Sequence, residues 1–192
     1  MSNEKWENAH SVVCPWWLQG LLSNPFRRLF QNPDRILAGF AAPGKTAVDI
    51  GCGIGYLTIP LARLLCPEGR VIAVDLQERM LAGARRRAEK AGVSDRIQFH
   101  QAAPDGLGIS GPADFVLTFW MVHEVPDKER LMKEIRGMLK PDGTWLLAEP
   151  PIHVPAASFR KTVALAEGLG FRVLSSPKIR LSRAVLFGLG PR

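Results

Sequence analysis

A run of β-forming residues, Thr46-Ala47-Val48-Asp49-Ile50, passes into glycines at every second position, Gly51-Cys52-Gly53-Ile54-Gly55. Leu57, Ile59, Leu61, Leu64 and Leu65 then recur at helical spacing. This reads as strand, tight turn and helix. The glycines let the chain turn sharply and let its backbone approach a ligand that a Cβ would block. The chemistry is recognition of a nucleotide-like molecule. A dinucleotide fingerprint needs its third glycine one place later, where Tyr56 stands, so the loop matches a pyrophosphate cradle poorly. Asp75 lies 24 residues after Gly51 and closes a second apolar run, Val71-Ile72-Ala73-Val74. At the carboxyl end of a strand, its carboxylate can accept both hydroxyls of a ribose.

These residues need a frame, and the rest of the chain supplies one. Strand signals fall at 46–50, 70–75, 96–100, 114–119, 144–149, 171–176 and 183–188. Helical patterns fall between them at 55–65, 77–91, 127–139 and 156–169. Lys140-Pro141-Asp142-Gly143 reads as a stop after the third helix. Alternating strands and helices argue for a doubly wound, mostly parallel α/β sheet. The last two strands are separated by 177–182 alone, too short for a crossover helix, so they should pair antiparallel. The expected architecture is therefore a Rossmann-like, seven-stranded sheet with an antiparallel last strand.

The first 40 residues differ and form an expected helical extension to a domain spanning 41–192. They hold Trp6, Trp16 and Trp17, three of the five tryptophans. Asn32-Pro33-Asp34 has the form of an N-cap with proline in the first turn, opening a helix over 35–40. Trp16 and Trp17 suggest an aromatic lid over a bound ligand, or packing on the flank of the sheet or at a dimer contact. The chain's 192 residues suit one α/β domain with short additions, and no apolar run is long enough to span a bilayer. The start lacks the basic-then-apolar pattern of a secretory signal, which leads us to expect a cytoplasmic protein. Cys14, Cys52 and Cys66 fit neither a disulfide framework nor a zinc pattern, and no metal is expected. The net charge of +7 is uneven: beyond Pro150 seven basic residues face Glu167 alone. That excess suggests a solvated face, or a surface for nucleic acid or anionic substrates.

With these residues in hand, the chain resembles the class I S-adenosylmethionine (SAM)-dependent methyltransferases. The resemblance rests on Val48-Asp49-Ile50-Gly51-Cys52-Gly53-Ile54-Gly55, on Val71-Ile72-Ala73-Val74-Asp75, and on Met121-Val122-His123-Glu124-Val125 through Leu139-Lys140-Pro141-Asp142-Gly143-Thr144. Within that family it looks closest to the small-molecule branch that includes the ubiquinone/menaquinone methyltransferases. The resemblance implies SAM as cofactor, held by Asp49, Gly51, Gly53, Gly55 and Asp75. Leu76 and Met80 would flank the adenine, and Ala102, Ala103 and Phe119 would also contact the cofactor. The loop and helix start would offer backbone N–H groups to the carboxylate of the methionine tail. One departure stands out: many relatives carry Gly-Asp-Ala after the third strand, and this chain has Ala102-Ala103-Pro104. Asp105 lies next to them as a substitute for the missing carboxylate.

His123 and Glu149 are the candidate catalytic residues. The sulfonium methyl is already activated, so in-line positioning can suffice. A base helps when the acceptor is a hydroxyl or a protonated nitrogen. Trp120, just past the fourth strand, joins Trp16 and Trp17 as a candidate acceptor contact. The chain has no Asn- or Asp-Pro-Pro-aromatic signature of base-amino methylation, and no cysteine follows Cys66. The expected reaction is methyl transfer to a small apolar or aromatic acceptor by a monomer or homodimer. The alternatives are an RNA methyltransferase using the basic C-terminal segment, and a non-catalytic SAM or nucleotide binder.

Overall fold

The computed structural model describes residues 30–191. Trp16 and Trp17, and with them the lid expectation, lie outside the described residues. Element α1 spans Pro33–Leu37, with Asn32 as its N-cap; the Asn32 side chain accepts from the amides of Asp34 and Arg35. Then follow β1 (Thr46–Ile50), α2 (Thr58–Leu64), β2 (Arg70–Asp75), α3 (Glu78–Lys90), β3 (Ile97–Gln101) and β4 (Ala113–Phe119). The chain closes with α4 (Lys128–Met138), β5 (Leu139–Glu149), α5 (Ala156–Gly168), β6 (Phe171–Ser175) and β7 (Arg183–Leu189).

Among the described residues the strands form one sheet in the order β3-β2-β1-β4-β5-β7-β6. β1 through β5 run parallel, and β7 is antiparallel to both β5 and β6. The order reverses between β1 and β4, which opens a crevice at the carboxyl ends of those strands. Period-two alternation sends successive residues of each strand to opposite faces. Ala47, Ala73, Leu117 and Leu146 join α1, α2 and α3 in one core. Val48, Val74, Val116 and Leu147 join α4 and α5 in the other. Ile36 and Leu37 of α1 are buried within the first core.

The antiparallel end is fixed by aromatics. Trp145 lies 4.9 Å from Phe187 and 5.0 Å from Phe171, ring centre to ring centre. Trp145 is fully buried, and its indole N–H donates to Thr118 Oγ1 at 2.9 Å, which satisfies the polar atom that burial would otherwise orphan.

Three boundaries differ from the sequence reading by three residues or more, the helix expected over 35–40 being Pro33–Leu37. The helix after the glycine loop starts at Thr58 instead of 55, because 51–57 is taken up by successive turns with positive φ at Gly51, Gly53 and Gly55. Pro60 thereby falls in the first turn, where its missing N–H has no helical partner to lose. The segment 140–143, which reads as a stop, lies inside β5. A register irregularity lets Leu139 pair with Ala113 and Thr144 pair with Phe115, so the extra residues are absorbed as a bulge. Gly143 is required there: an added Cβ would lie 2.8 Å from the Ala113 carbonyl oxygen.

Candidate active site at the carboxyl edge

The glycine loop is pinned across the end of β2. The amides of Gly51 and Cys52 both donate to the Val74 carbonyl, at 2.8 and 3.0 Å, and the Gly55 amide donates to the Cys52 carbonyl at 3.0 Å. The Gly53 amide donates to Asp75 Oδ2 at 2.8 Å. Of the loop and helix-start amides expected to meet a carboxylate, these four are bonded within the protein. Gly51 shows why glycine is needed: at φ +73° an added Cβ would lie 2.7 Å from Met121 Cγ and 2.8 Å from Met121 Cβ. Met121, which the sequence did not single out as a contact, therefore packs directly on the loop.

Gly51→Ala is expected to cost about 2 kcal/mol of stability, from left-handed strain plus displacement of Met121. Gly92, at φ +68° with nothing within 4 Å of an added Cβ, isolates the strain alone. Urea unfolding should therefore show Gly51→Ala more destabilised than Gly92→Ala; equal losses would remove the Met121 contact from the account.

Asp75 sits at the crest of β2. Its Oδ1 accepts from the Gln77 amide at 2.9 Å and its Oδ2 from Gly53, leaving each oxygen further acceptor capacity. It is 9% exposed, and burial raises its pKa despite the bonds from Gln77, Gly53 and Leu76. This suits a carboxylate set to accept a ribose diol. Leu76 beside it is 40% exposed, while Met80 is buried. The Ala102 amide donates to the Asp75 carbonyl at 3.0 Å. Ala103 is exposed and borders a cavity of about 590 Å³ that Asp105, Gly106, Arg130 and Glu134 also line. This cavity lies outboard of Ala103, between the 103–109 loop and α4, and not over the glycine loop. It places Asp105 near the expected adenine end, in solvent.

Asp49 lies beneath the loop, 2% exposed, and accepts from Thr58 Oγ1 at 2.6 Å. Burial pushes its carboxyl up to about 7; the Thr58 bond opposes this and the Asp75 charge adds to it. A buried acid held this high is one that a neighbouring cation would stabilise, which fits the ammonium or sulfonium of SAM. The groups at this end of the sheet therefore fit the cofactor: one acid for the diol, one for positive charge, and between them a loop with glycine at every second position. The same burial and the charges of Asp49 and Asp75 hold the Cys52 thiol well above its ordinary pKa, so it stays protonated and serves as a small filler.

Across the crevice, β4 and β5 bring His123 and Glu149 together. Phe119 pairs with Ala148 in the parallel ladder, so the residues that follow β4 meet the end of β5. Glu149 is 2% exposed; its Oε1 accepts from the His123 amide at 3.2 Å, and its Oε2 lies 2.5 Å from His123 Nδ1. A carboxylate only accepts, so Nδ1 carries the proton and Nε2 of the neutral ring keeps its lone pair. Burial pulls the His123 pKa down, but the hydrogen bond and charge of Glu149, with the charge of Glu124, more than offset it and leave it raised. The ring stacks on His153, with centres 5.9 Å apart.

Phe119 is buried and stacks on Trp120, which stands at φ +62°. The Trp120 indole N–H donates to Ser182 Oγ at 2.9 Å. Gln31 joins the same knot: its Nε2 donates to the Arg180 carbonyl at 3.0 Å, and its own backbone carbonyl accepts from Tyr56 Oη at 2.7 Å. Tyr56, the residue that spoils the dinucleotide fingerprint, thus ties the glycine loop to the segment entering from the N-terminal side. Gln31 and Ser182 carried no signal in the sequence, because their partners lie far away along the chain.

Comparison with known proteins bears on the family and the fold. Residues 47–143 match the family model described as a methyltransferase domain. The chain is 36% identical over 121 residues to the demethylmenaquinone methyltransferase of Lactobacillus johnsonii, covering 62% of this chain and 48% of that protein. It is 33% identical over 145 residues to the ubiquinone/menaquinone biosynthesis C-methyltransferase UbiE of Pseudomonas fluorescens, covering 74% and 56% respectively. The chain thus spans about half the length of these curated relatives. A SAM-dependent methyltransferase structure from Aquifex aeolicus superposes with a TM-score of 0.82 at 21% identity, covering 91% of this chain and 98% of that one, which shows the shared fold.

Proposed function

Because the chain belongs to the SAM-dependent methyltransferase family, we propose that it transfers a methyl group to a small acceptor with an apolar or aromatic body, and that His123, oriented by Glu149, takes up the acceptor's proton. The observation that carries this is the buried carboxylate–imidazole pair at the ends of β4 and β5, on the same sheet edge as Asp75 and the glycine loop. SAM, when bound, supplies a methyl on a positively charged sulfur. Asp75 accepts the ribose hydroxyls, and Asp49 places a buried negative charge beneath the loop. Gly51, Gly53 and Gly55 permit close approach, with Leu76, Met80, Ala102 and Ala103 around the base. Phe119 and Trp120 form an aromatic wall toward the acceptor.

A proton acceptor is useful only if the substrate has a proton to lose. The relatives are named for demethylmenaquinone and for ubiquinone/menaquinone biosynthesis, and a ring hydroxyl of the reduced form of such a molecule suits His123. No helix among the described residues is long and apolar enough to cross a membrane. Transfer of labelled methyl from SAM to hydroxylated aromatics, with single-stranded RNA in parallel, tests the reading. Label should enter the aromatic; label in RNA alone, or in no acceptor, would overturn it. Asp75→Asn should weaken SAM binding at least about tenfold by calorimetry, the worth of one charge-assisted hydrogen bond. Unchanged affinity would displace Asp75 from the cofactor.

A further inference from the structure

The acceptor side of the carboxyl edge is both cationic and apolar. Ile152, in the loop after β5, is 86% exposed, and Leu181, in the loop before β7, is 55% exposed. The two loops are held side by side: Arg183 pairs with Glu149 across the sheet, and its guanidinium donates to the Val154 carbonyl at 3.2 Å. Phe30, 46% exposed, sits against the same loop with the Arg180 guanidinium 4.8 Å over its ring. Lys178 and Arg180 precede Leu181 in its loop, and Arg160 and Lys161 lie in the second turn of α5, the helix that follows the Ile152 loop. Two acids lie at this edge, Glu149 buried on His123 and Glu124 3.8 Å from that ring, and the cations outnumber them.

We infer that this edge is a docking surface for an anionic lipid bilayer, with Ile152 and Leu181 entering the headgroup boundary and the surrounding lysines and arginines meeting lipid phosphates. Large aliphatic side chains standing in water beside a ring of cations match the chemistry of an interfacial anchor. Single-stranded nucleic acid fits less well, because it is held on open aromatic platforms. Among the described residues Phe30 and His153 are the exposed rings on this edge; Arg180 covers one face of Phe30, and His153 stacks on His123. The surface borders the loop that carries Ser182 and, through it, Trp120, so an acceptor dissolved in the bilayer would meet the site from the side on which the protein docks.

Cosedimentation of the full chain with vesicles of phosphatidylcholine, with and without phosphatidylglycerol, tests this without reference to catalysis or to SAM. The protein should pellet with the anionic vesicles, more at low salt than at high. Ile152→Asp/Leu181→Asp and Lys161→Glu/Lys178→Glu should each lower the bound fraction about tenfold while keeping the wild-type melting temperature. No partition at low salt, or partition unchanged in both double variants, would overturn the inference. So would retention of single-stranded RNA in the absence of any vesicle binding, which would make this a nucleic-acid face.

Discussion

Glu149→Gln is expected to lose about two to four orders of magnitude in kcat while binding SAM as the wild type does. The reasoning is geometric. Glu149 receives two donors, the His123 amide at Oε1 and the His123 Nδ1–H at Oε2. A glutamine side chain keeps one acceptor and gains an NH₂. The amide of His123 is a fixed donor, so the new side-chain carbonyl must face it. The NH₂ then faces Nδ1, and the ring answers by moving its proton to Nε2. The base is still present and still in place, but its free lone pair now points at the substituted side chain instead of away from it. Two readouts separate this from mere destabilisation. SAM affinity should hold, because Glu149 ends β5, two strands along the sheet from the β1 that leads into the glycine loop. The acidic limb of the kcat/KM profile should also move to lower pH: Glu149 lifts the His123 pKa in the wild type, and that lift goes with the charge. Activity in the wild type rises as pH passes upward through that raised value, so the inflection of the variant falls below it. A kcat within about threefold of wild type would remove His123 from the chemistry.

That pair illustrates what is legible in the chain and what is not. β1 and β2 are legible to the residue, because their apolar runs end in Asp49-Ile50 and Asp75, and buried parallel strands read as continuous apolar stretches. The antiparallel β6–β7 pair follows from the short connection alone. His123 and Glu149 are legible as candidates but not as partners. Twenty-six residues separate them, and only the β4–β5 register brings them into contact. Local pattern fails at 140–143 for a related reason: proline, aspartate and glycine are turn formers, yet sheet pairing overrides them by making a bulge. In the sequence Tyr56 marks an absence, the missing third glycine. Its positive role, holding Gln31 against the loop, depends on a segment 25 residues upstream, and no periodicity encodes such a contact.

Asp49→Asn is expected to make the unliganded protein more stable at pH 8 and a poorer binder of SAM. In the folded chain the Asp49 carboxyl titrates near 7, chiefly because it is buried; in the unfolded chain it titrates near 3.8. Between those values the native state binds more protons than the unfolded one. Stability therefore falls as pH rises from about 4 to about 7, and stays low above. Three units correspond to on the order of 4 kcal/mol lost at pH 8, or a melting temperature about 10 °C lower than a neutral isostere would allow. Asparagine is that isostere, and its carbonyl can still accept from Thr58. Below about pH 4 the wild-type carboxyl is neutral in both folded and unfolded chains, so the gap between the two proteins opens only from there. At pH 5 it should be roughly a third of its value at pH 8. Asp75, also raised by burial, contributes with the same sign in both proteins, and its charge is one of the causes that raise Asp49 in the wild type. Binding should move the other way. A cation beside Asp49 favours the ionised form, so wild-type affinity for SAM rises with pH, by up to about tenfold per unit below 7, and flattens above. The variant has no such slope and lacks the buried anion, so its deficit is greatest at high pH, where its stability advantage is also greatest. Calorimetry and thermal melts across pH 5 to 8 read both. A melting difference that is constant with pH, or an affinity that keeps its slope in the variant, would show that the charge beneath the loop is not the one the cofactor relieves. The opposite signs are the essential point: a carboxylate that only held the fold together would cost stability when removed, whereas one kept ready for a cation destabilises the protein until that cation arrives.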